Sequence, residues 1–267
     1  MSGFINFFGF QREPFPHNMD IGKLYHFPGL SEMTERFKYT VSVCMVHVIT
    51  GAVGSGKSTS LRYACSLFHP ARHKIIPVIA NTGSMIELLK QISFSLDLDM
   101  KTNSITNLLR GVKQVFKEIF GKKLLPILVI DEAHLMRERI FFQMHTLLQC
   151  EEFPDRSVPL ILCGQNSLID KLVYHTAGAL ASRVIGKTKF EGLDLAHMTE
   201  YINHHLAIAG IKDNLFAEAA ITAIHQGSGG VLRKANNLAR GALVAAAGRN
   251  SKLVSADHVR IAATEIL

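Results

Sequence analysis

The sequence lacks the features that mark secreted, membrane-spanning or disordered chains. Its cysteines, Cys44, Cys65, Cys150 and Cys163, are scattered without Cys-x-x-Cys spacing, and each lies in an apolar stretch where a free thiol packs as a small hydrophobe. No basic segment followed by an apolar one opens the chain, and no apolar run approaches the length that spans a bilayer. These absences predict a soluble, cytoplasmic protein.

Low-complexity tails, long linkers and internal repeats are also missing. The 267 residues, of which 48% are hydrophobic, suffice for one large α/β domain with a small satellite. The formal net charge is +7. This basic excess is not gathered into one run, so it leaves two alternatives open: a polyanionic partner such as nucleic acid, or an ordinary basic protein.

Short apolar runs alternate with helical patterns along most of the chain. Runs rich in β-branched residues predict strands at 43–50, 75–80, 126–130, 158–163 and, weakly, 187–191. Apolar residues at three-to-four spacing predict helices at 58–68, 85–96, 105–120 and 137–148. Such alternation indicates an α/β fold with a parallel five-stranded sheet sandwiched by helices.

The strand patterns stop near Gly192, and only helical patterns follow. Asp194 is placed to cap the first of these helices and Gly210 to end it. The sequence therefore predicts two domains: an α/β domain over residues 1–192 and a small all-α domain over residues 193–267.

Directly after the first predicted strand stands a glycine-rich segment followed by a helical pattern, which is the context of a Walker A motif. Backbone N–H groups in such a loop curl around phosphate oxygens, Lys57 reaches the β and γ phosphates, and Ser58 holds Mg²⁺. The motif predicts ATP and Mg²⁺ as cofactors; a glycine-rich turn with a chance lysine is the alternative. Its predicted nucleotide-binding residues are Gly51, Ala52, Val53, Gly54, Ser55, Gly56, Lys57, Ser58 and Thr59.

The third predicted strand ends in the segment Asp131-Glu132-Ala-His134. Asp131 is placed to bind nucleotide-associated Mg²⁺, and Glu132 to orient or deprotonate the attacking water. Two acids that cap the following helix are the alternative. This tetrapeptide also occurs in some helicases, but the remaining helicase motifs are not visible. We interpret His134 as a packing residue or as a support behind the catalytic pair.

Four further segments extend over nearly the whole chain and resemble the ExeA-like AAA+ ATPases. They are Phe7-Phe-Gly-Phe-Gln-Arg-Glu-Pro-Phe15, Phe27-Pro-Gly-Leu-Ser-Glu32, Gly164-Gln165 and Gly229-Gly-Val-Leu-Arg-Lys-Ala-Asn-Asn-Leu238. That group is similar in turn to the TniB and TnsC transposition helpers and, more distantly, to origin-recognition ATPases. The resemblance implies a P-loop AAA+ core with a C-terminal helical lid, with nucleotide between the two and a neighbouring subunit completing the site.

The resemblance implies roles for four more residues, of which all but Arg233 have a structural alternative. Gln165 matches the sensor 1 position, with Asn166 a weaker candidate; turn formation before a helix capped by Ser167 is the alternative. Arg183 matches the arginine finger presented to an adjacent subunit, with a solvated surface arginine as the alternative. Arg233 matches sensor 2.

The resemblance also bears on the start of the lid helix and on the surroundings of the adenine. The family has proline before the sensor 2 arginine, whereas this chain has Leu232, which weakens the helix-start geometry. In this family Phe15, Pro16 and Phe27 would lie near the adenine, and ordinary core packing explains these residues equally well.

The sequence and the resemblance together predict a full set of site residues. The predicted catalytic residues are Glu132, Lys57, Gln165, Arg183 and Arg233. Arg233 is also predicted to bind nucleotide, and the predicted metal ligands are Ser58 and Asp131.

The predicted ATPase site does not by itself choose among three functions. The first is a DNA-binding transposition helper that oligomerises as a ring or filament and recruits or activates a transposase. The second is an ATPase subunit of a secretion or envelope assembly, and the third is a scaffold ATPase without DNA. Envelope members carry a membrane segment and a cell-wall-binding domain after the ATPase, and this sequence ends at Leu267 with neither.

The first function is the one we expect, with duplex DNA bound with little sequence preference. Basic residues near one helix end and in the lid favour DNA, with solubilising charge as the alternative for each. They are Lys113, Lys117, Lys122, Lys123, Arg240, Arg249, Lys252 and Arg260.

Overall fold

The computed structural model describes residues 3–81, 83–149, 157–173 and 178–265. Cys150 lies outside these ranges, and the other three cysteines form no disulfide within the described part of the chain. The chain forms two compact units, which we call the sheet unit and the helical unit. The sheet unit comprises Pro28–Val53 and Lys57–Phe190, and the helical unit comprises Met1–Phe27, Gly54–Gly56 and Glu191–Leu267.

The sheet unit is built on five parallel strands. They are β1 (Val46–Gly51), β2 (His73–Ile79), β3 (Leu125–Asp131), β4 (Leu160–Gly164) and β5 (Val184–Phe190). Their order in the sheet is β2-β3-β4-β1-β5, so β4 lies between the strands that precede the two predicted motifs. The predicted parallel five-stranded α/β fold is confirmed.

Helices of the sheet unit connect these strands. They are α2 (Pro28–Ser42), α3 (Lys57–Ser66), α4 (Met85–Ser95), α5 (Ile105–Gly121), α6 (Glu138–Leu148), α7 (Ser167–Val173) and α8 (Gly178–Ala181). In α5 the buried residues Leu108, Val112 and Phe116 recur every fourth position, which places them on one face. All six residues of β1 are buried, as expected for a central strand of a parallel sheet.

The helical unit contains α1 (Gly3–Phe8) and four C-terminal helices: α9 (Leu195–Ile208), α10 (Glu218–Ser228), α11 (Leu232–Gly248) and α12 (Ala256–Glu265). Asp194 caps α9 as predicted, because its carboxylate accepts the His197 N–H at 2.8 Å. Among the described helices, none is long and apolar enough to cross a membrane.

One part of the predicted domain division differs from the structure. The sequence placed residues 1–27 with the sheet, but the described part of this segment, residues 3–27, packs on the C-terminal helices. Phe15 stacks on His205 with ring centroids 5.2 Å apart, and Arg240 pairs with Glu13 at 3.1 Å. These long-range contacts have no local sequence pattern, so the N-terminal segment could not be assigned from periodicity.

Candidate nucleotide-binding site

The glycine-rich loop has the backbone that phosphate binding requires. It leaves β1 at Gly51 and enters α3 at Lys57. Gly54 and Gly56 have φ of 82° and 93°, a region that residues with a side chain rarely adopt. Ser55 between them is 3% exposed, and its buried hydroxyl has no hydrogen-bond partner among the described residues. A phosphate oxygen would supply one, so the loop fits a nucleotide.

The Lys57 side chain is folded against its own loop. Its ammonium donates to the carbonyl oxygens of Gly51 at 2.9 Å and Ala52 at 2.7 Å, and the residue is 8% exposed. An ammonium held among backbone carbonyls at the start of a helix lies where positive potential is already high. Phosphate oxygens, like these carbonyls, are hydrogen-bond acceptors that an ammonium can bind.

Strand register brings the second motif to the same edge of the sheet. Thr50 of β1 pairs with Gly164 of β4, and Ile130 of β3 pairs with Leu162 of β4. Since the strands are parallel, their carboxyl ends lie together. Lys57 and Gln165, which follow the ends of β1 and β4, and Asp131, which ends β3, therefore lie at one edge of the sheet.

Asp131 accepts a hydrogen bond from the backbone and lies beside a buried thiol. Its Oδ1 accepts the Glu132 N–H at 2.8 Å. Burial raises the pKa of the Cys163 thiol, and the neighbouring Asp131 carboxylate raises it further, so the thiol stays protonated. Cys163 was interpreted only as a small hydrophobe; its place at the end of β4, beside β3, follows from the sheet topology and has no local sequence signal.

Glu132 adopts a strained backbone conformation directly after β3. Its φ of 55° and ψ of 27° are left-handed, and it precedes the 3-10 turn Ala133–Leu135. Such a conformation in a non-glycine residue costs about 1–3 kcal/mol and is concentrated at functional sites. The Glu132 side chain is 45% exposed, and its Oε2 lies 3.4 Å from Nδ1 of His134. The carboxylate is thus accessible to water at the edge that carries Lys57.

Gln165 and Asn166 both support the start of α7 through their backbones. The Gln165 carbonyl accepts the Leu168 N–H at 2.9 Å, and the Asn166 carbonyl accepts the Ile169 N–H at 3.0 Å. The structure therefore contains the turn that was the alternative interpretation. Gln165 also remains half-buried at the carboxyl edge, so the sensor 1 role stays a prediction for its side chain.

Arg183 lies at the amino ends of the strands, opposite the carboxyl edge that carries Lys57. It precedes β5, its carbonyl accepts the Val46 N–H at 3.0 Å, and its Nη1 donates to Ser157 Oγ at 3.2 Å. From Val46 to the end of β1 the strand advances about 16 Å, at about 3.3 Å per residue. The structure does not bring Arg183 to the phosphate loop of its own chain, so only a role toward a neighbouring subunit remains open.

Arg233 belongs to the helical unit, which also contains Gly54. Its backbone N–H donates to the Gly54 carbonyl at 3.0 Å, and α11 begins one residue earlier at Leu232. A helix therefore starts here without the proline of the resembled family. Gly230 precedes it with φ of 76°, and a Cβ there would lie 2.3 Å from the Leu193 carbonyl oxygen, so no side chain fits.

Comparisons with known proteins agree with this geometry. A model of the AAA domain family matches residues 41–172, which include the phosphate loop, Asp131 and Gln165. Cdc6p from Pyrobaculum aerophilum has a TM-score of 0.73 at 16% identity, covering 95% of this chain and 70% of that one. The chain has the fold of an AAA+ P-loop NTPase. Aeropyrum pernix ORC1 in complex with DNA has a TM-score of 0.62 at 14% identity, covering 86% and 64%.

A curated relative is similar to this sequence over almost the full chain. General secretion pathway protein A of Aeromonas hydrophila is 25% identical over 274 residues, which is 98% of this chain and 48% of that protein. The chain thus spans about half the length of this curated relative. Sequence identity to the solved structures is lower still, so those structures show the fold alone.

The carboxyl edge of the sheet carries residue types suited to Mg²⁺ that arrives with a nucleotide. Among residues 3–81, 83–149, 157–173 and 178–265, no group of three or more His, Cys, Asp and Glu side chains could hold a metal alone. Mg²⁺ in nucleotide sites takes one or two protein ligands and completes its shell with phosphate oxygens and waters. Ser58 in the first turn of α3 and Asp131 at the end of β3 fit that arrangement.

Phe15, one of the residues predicted near the adenine, packs within the helical unit. Phe15 is almost fully buried against His205, whose Nδ1 donates to the Pro14 carbonyl at 2.7 Å. Burial lowers the pKa of His205 to about 4, which keeps the ring neutral. Phe27 is buried as well. These contacts support the alternative of core packing for Phe15.

Proposed function

We propose that this chain binds ATP with Mg²⁺ and hydrolyses it to ADP and phosphate. The observation that carries the proposal is the convergence of Lys57, Asp131 and Glu132 at one edge of the sheet. A phosphate loop alone supports binding, whereas an exposed carboxylate beside the metal ligand also provides a base for water.

Each residue of the site has a distinct part in this reaction. Lys57 binds the β and γ phosphates, Ser58 and Asp131 hold the metal, and Glu132 orients the attacking water and accepts its proton. Bound Mg²⁺ would neutralise charge on the phosphate oxygens. The hydrogen bond from the Glu132 amide to Oδ1 of Asp131 restricts rotation of that carboxylate.

The proposed base is tested by Glu132→Gln. The amide keeps the size of the side chain but cannot accept a proton, so we expect kcat to fall by about 10² to 10⁴. ATP affinity should stay near the wild-type value, because Lys57, Ser58 and Asp131 are unchanged. Phosphate release and binding of a fluorescent ATP analogue measure the two effects.

The matched control for Glu132→Gln is Glu138→Gln, which removes an exposed acid from the first turn of α6. It should leave both measurements unchanged. Wild-type turnover in Glu132→Gln would make Glu132 a structural residue and remove the basis for assigning the base.

The partner we propose is duplex DNA, and charge distribution supports it. The sheet unit carries 20 Lys and Arg against 13 Asp and Glu, whereas the helical unit carries 9 of each. The whole basic excess therefore belongs to the sheet unit. A polyanion binds by releasing counterions to such a surface.

Several lid residues first considered for DNA have partners within the helical unit. Arg240 pairs with Glu13, Arg260 pairs with Asp257 at 2.6 Å, and Lys252 donates to the Phe7 carbonyl. Four exposed residues of the sheet unit form what we call the basic surface. They are Arg72, Lys74, Lys122 and Lys123, at the amino ends of β2 and β3, where the Leu125 N–H donates to the Arg72 carbonyl at 2.9 Å.

The double charge reversal Lys122→Glu with Lys123→Glu tests the basic surface. Each lost phosphate contact should lower the slope of log K against log salt by about 0.9, so we expect a slope reduced by about 2. Binding of a fluorescent duplex, measured over a salt series with and without ATP, gives the slope.

The matched control reverses two exposed charges of the helical unit, Lys212→Glu with Arg12→Glu, and so changes net charge equally. It should keep the wild-type slope. Equal losses in both double variants would mean that only net charge matters, and absence of DNA binding by the wild type would favour a protein partner.

We further propose that ATP promotes a ring or filament on DNA that recruits or activates a transposase. Assembly would align the basic surfaces of several subunits, and this predicts tighter DNA binding with ATP. The structural neighbour named as a DNA complex supports the partner only by analogy of fold.

A second candidate is an ATPase subunit of a secretion system, because the curated relative is named for general secretion and matches 98% of this chain. An integrase-like gene beside this one would favour transposition, and secretion genes would favour the second candidate.

A further inference from the structure

His134 lies beside the proposed base, Glu132. One of its ring nitrogens has no hydrogen-bond partner among the described residues. Its side chain is 9% exposed, and Nδ1 lies 3.4 Å from Oε2 of Glu132. That nitrogen is buried and makes no hydrogen bond among the described residues. A buried polar atom without a partner is costly, so its position beside the carboxylate calls for an explanation.

The backbone around His134 is fixed from two sides. A Cβ on Gly164 would lie 2.9 Å from the His134 nitrogen and 3.2 Å from Nδ1, so the glycine allows β4 to approach this closely. From α7, the ammonium of Lys171 donates to the carbonyls of His134 and Met136, the latter at 2.8 Å. The imidazole is therefore held in place, whereas the Glu132 side chain is half-exposed.

We propose that His134 is a positioning residue for Glu132, which rests on the proposed ATP hydrolysis. A small rotation of the carboxylate lets Nδ1–H donate to Oε2, and the other carboxylate oxygen stays available for water. This contact restricts a flexible side chain whose backbone is already left-handed. If His134 only filled space, the volume of its ring would suffice and no hydrogen-bond donor at Nδ1 would be needed.

Three substitutions separate positioning from packing. Asparagine places an amide N–H near the position of Nδ1, glutamine places one near Nε2, and alanine supplies neither. We expect His134→Ala and His134→Gln to lower kcat by about 10- to 100-fold, in the range that displacement of a catalytic group causes, with KM for ATP unchanged. His134→Asn should recover most of kcat. Equal losses in all three, or no loss in any, would overturn the proposal.

A second variant, in the neighbouring strand β4, disturbs the contact between His134 and Glu132. Gly164→Ala introduces a methyl group against the His134 backbone and Nδ1, so it should lower kcat without changing ATP affinity. The control Gly121→Ala adds a methyl group where nothing lies within 4 Å. It should leave kcat unchanged.

The closing experiment is a double-mutant cycle of His134→Ala and Glu132→Gln, read by kcat and by the urea midpoint without nucleotide. We expect His134→Ala to lower kcat little further once Glu132 is glutamine, and the two midpoint shifts to be non-additive. Additive effects in both readouts would overturn the positioning role. A wild type that hydrolyses no ATP but shows coupled midpoints would refute the proposed function and leave the contact supported.

Discussion

The Lys57→Ala variant is expected to bind ATP at least about 100-fold more weakly than the wild type. Hydrogen bonds to charged groups contribute about 1.5–3 kcal/mol each, and Lys57 would make at least two to phosphate oxygens. Its ammonium is the only charged side chain within the glycine-rich loop. Titration with a fluorescent ATP analogue measures this loss.

Lys74→Ala is the matched control for this prediction, since it removes an exposed lysine from β2 of the same unit. Because Lys57 also donates to Gly51 and Ala52, circular dichroism should first show that Lys57→Ala is folded. Retention of near wild-type affinity by a folded Lys57→Ala protein would refute the site assignment.

The Arg183→Ala variant is expected to bind ATP normally and to hydrolyse it about 10³- to 10⁵-fold more slowly, the range for arginine fingers. Arg183 is at the amino end of β5, whereas the phosphate loop follows the carboxyl end of β1. Its guanidinium can therefore add positive charge to the transition state only across a subunit interface. Exposed Arg110 on α5 provides the control, Arg110→Ala, which should keep full turnover.

Mixing variants tests whether Arg183 acts across an interface. An oligomer of Arg183→Ala and Lys57→Ala subunits contains pockets with an intact Lys57 that face an intact Arg183, so mixing should restore part of the turnover. Light scattering would establish that the two co-assemble. Co-assembly without recovery would mean that the hydrogen bond from Arg183 to Ser157 is its whole role.

The sheet could be predicted because its central strands are apolar runs. Its ends and edges were harder to predict. The first strand was expected from residue 43, but Cys44 has φ of 53°, a turn conformation, and β1 begins at Val46. At the edge, β5 begins at Val184, three residues before the prediction, because it alternates in burial and contains Gly186.

Sequence motifs predicted the residues at the carboxyl edge, but not the contacts that hold them. The effect of Asp131 on the Cys163 thiol and the approach of Gly164 to His134 depend on β4 lying beside β3, which spacing along the chain does not encode. Likewise, Arg240 and Glu13 are 227 residues apart. Such contacts follow from topology, and this is why the N-terminal segment was assigned to the wrong unit.

The most direct test of the account is phosphate release from ATP by the wild-type chain with Mg²⁺, beside Lys57→Ala prepared in the same way. The account predicts release that requires Mg²⁺, rises with duplex DNA and is absent in Lys57→Ala. Equal release by the two proteins, or none by a folded wild type at any protein concentration with or without DNA, would contradict the claim that this chain is an ATPase.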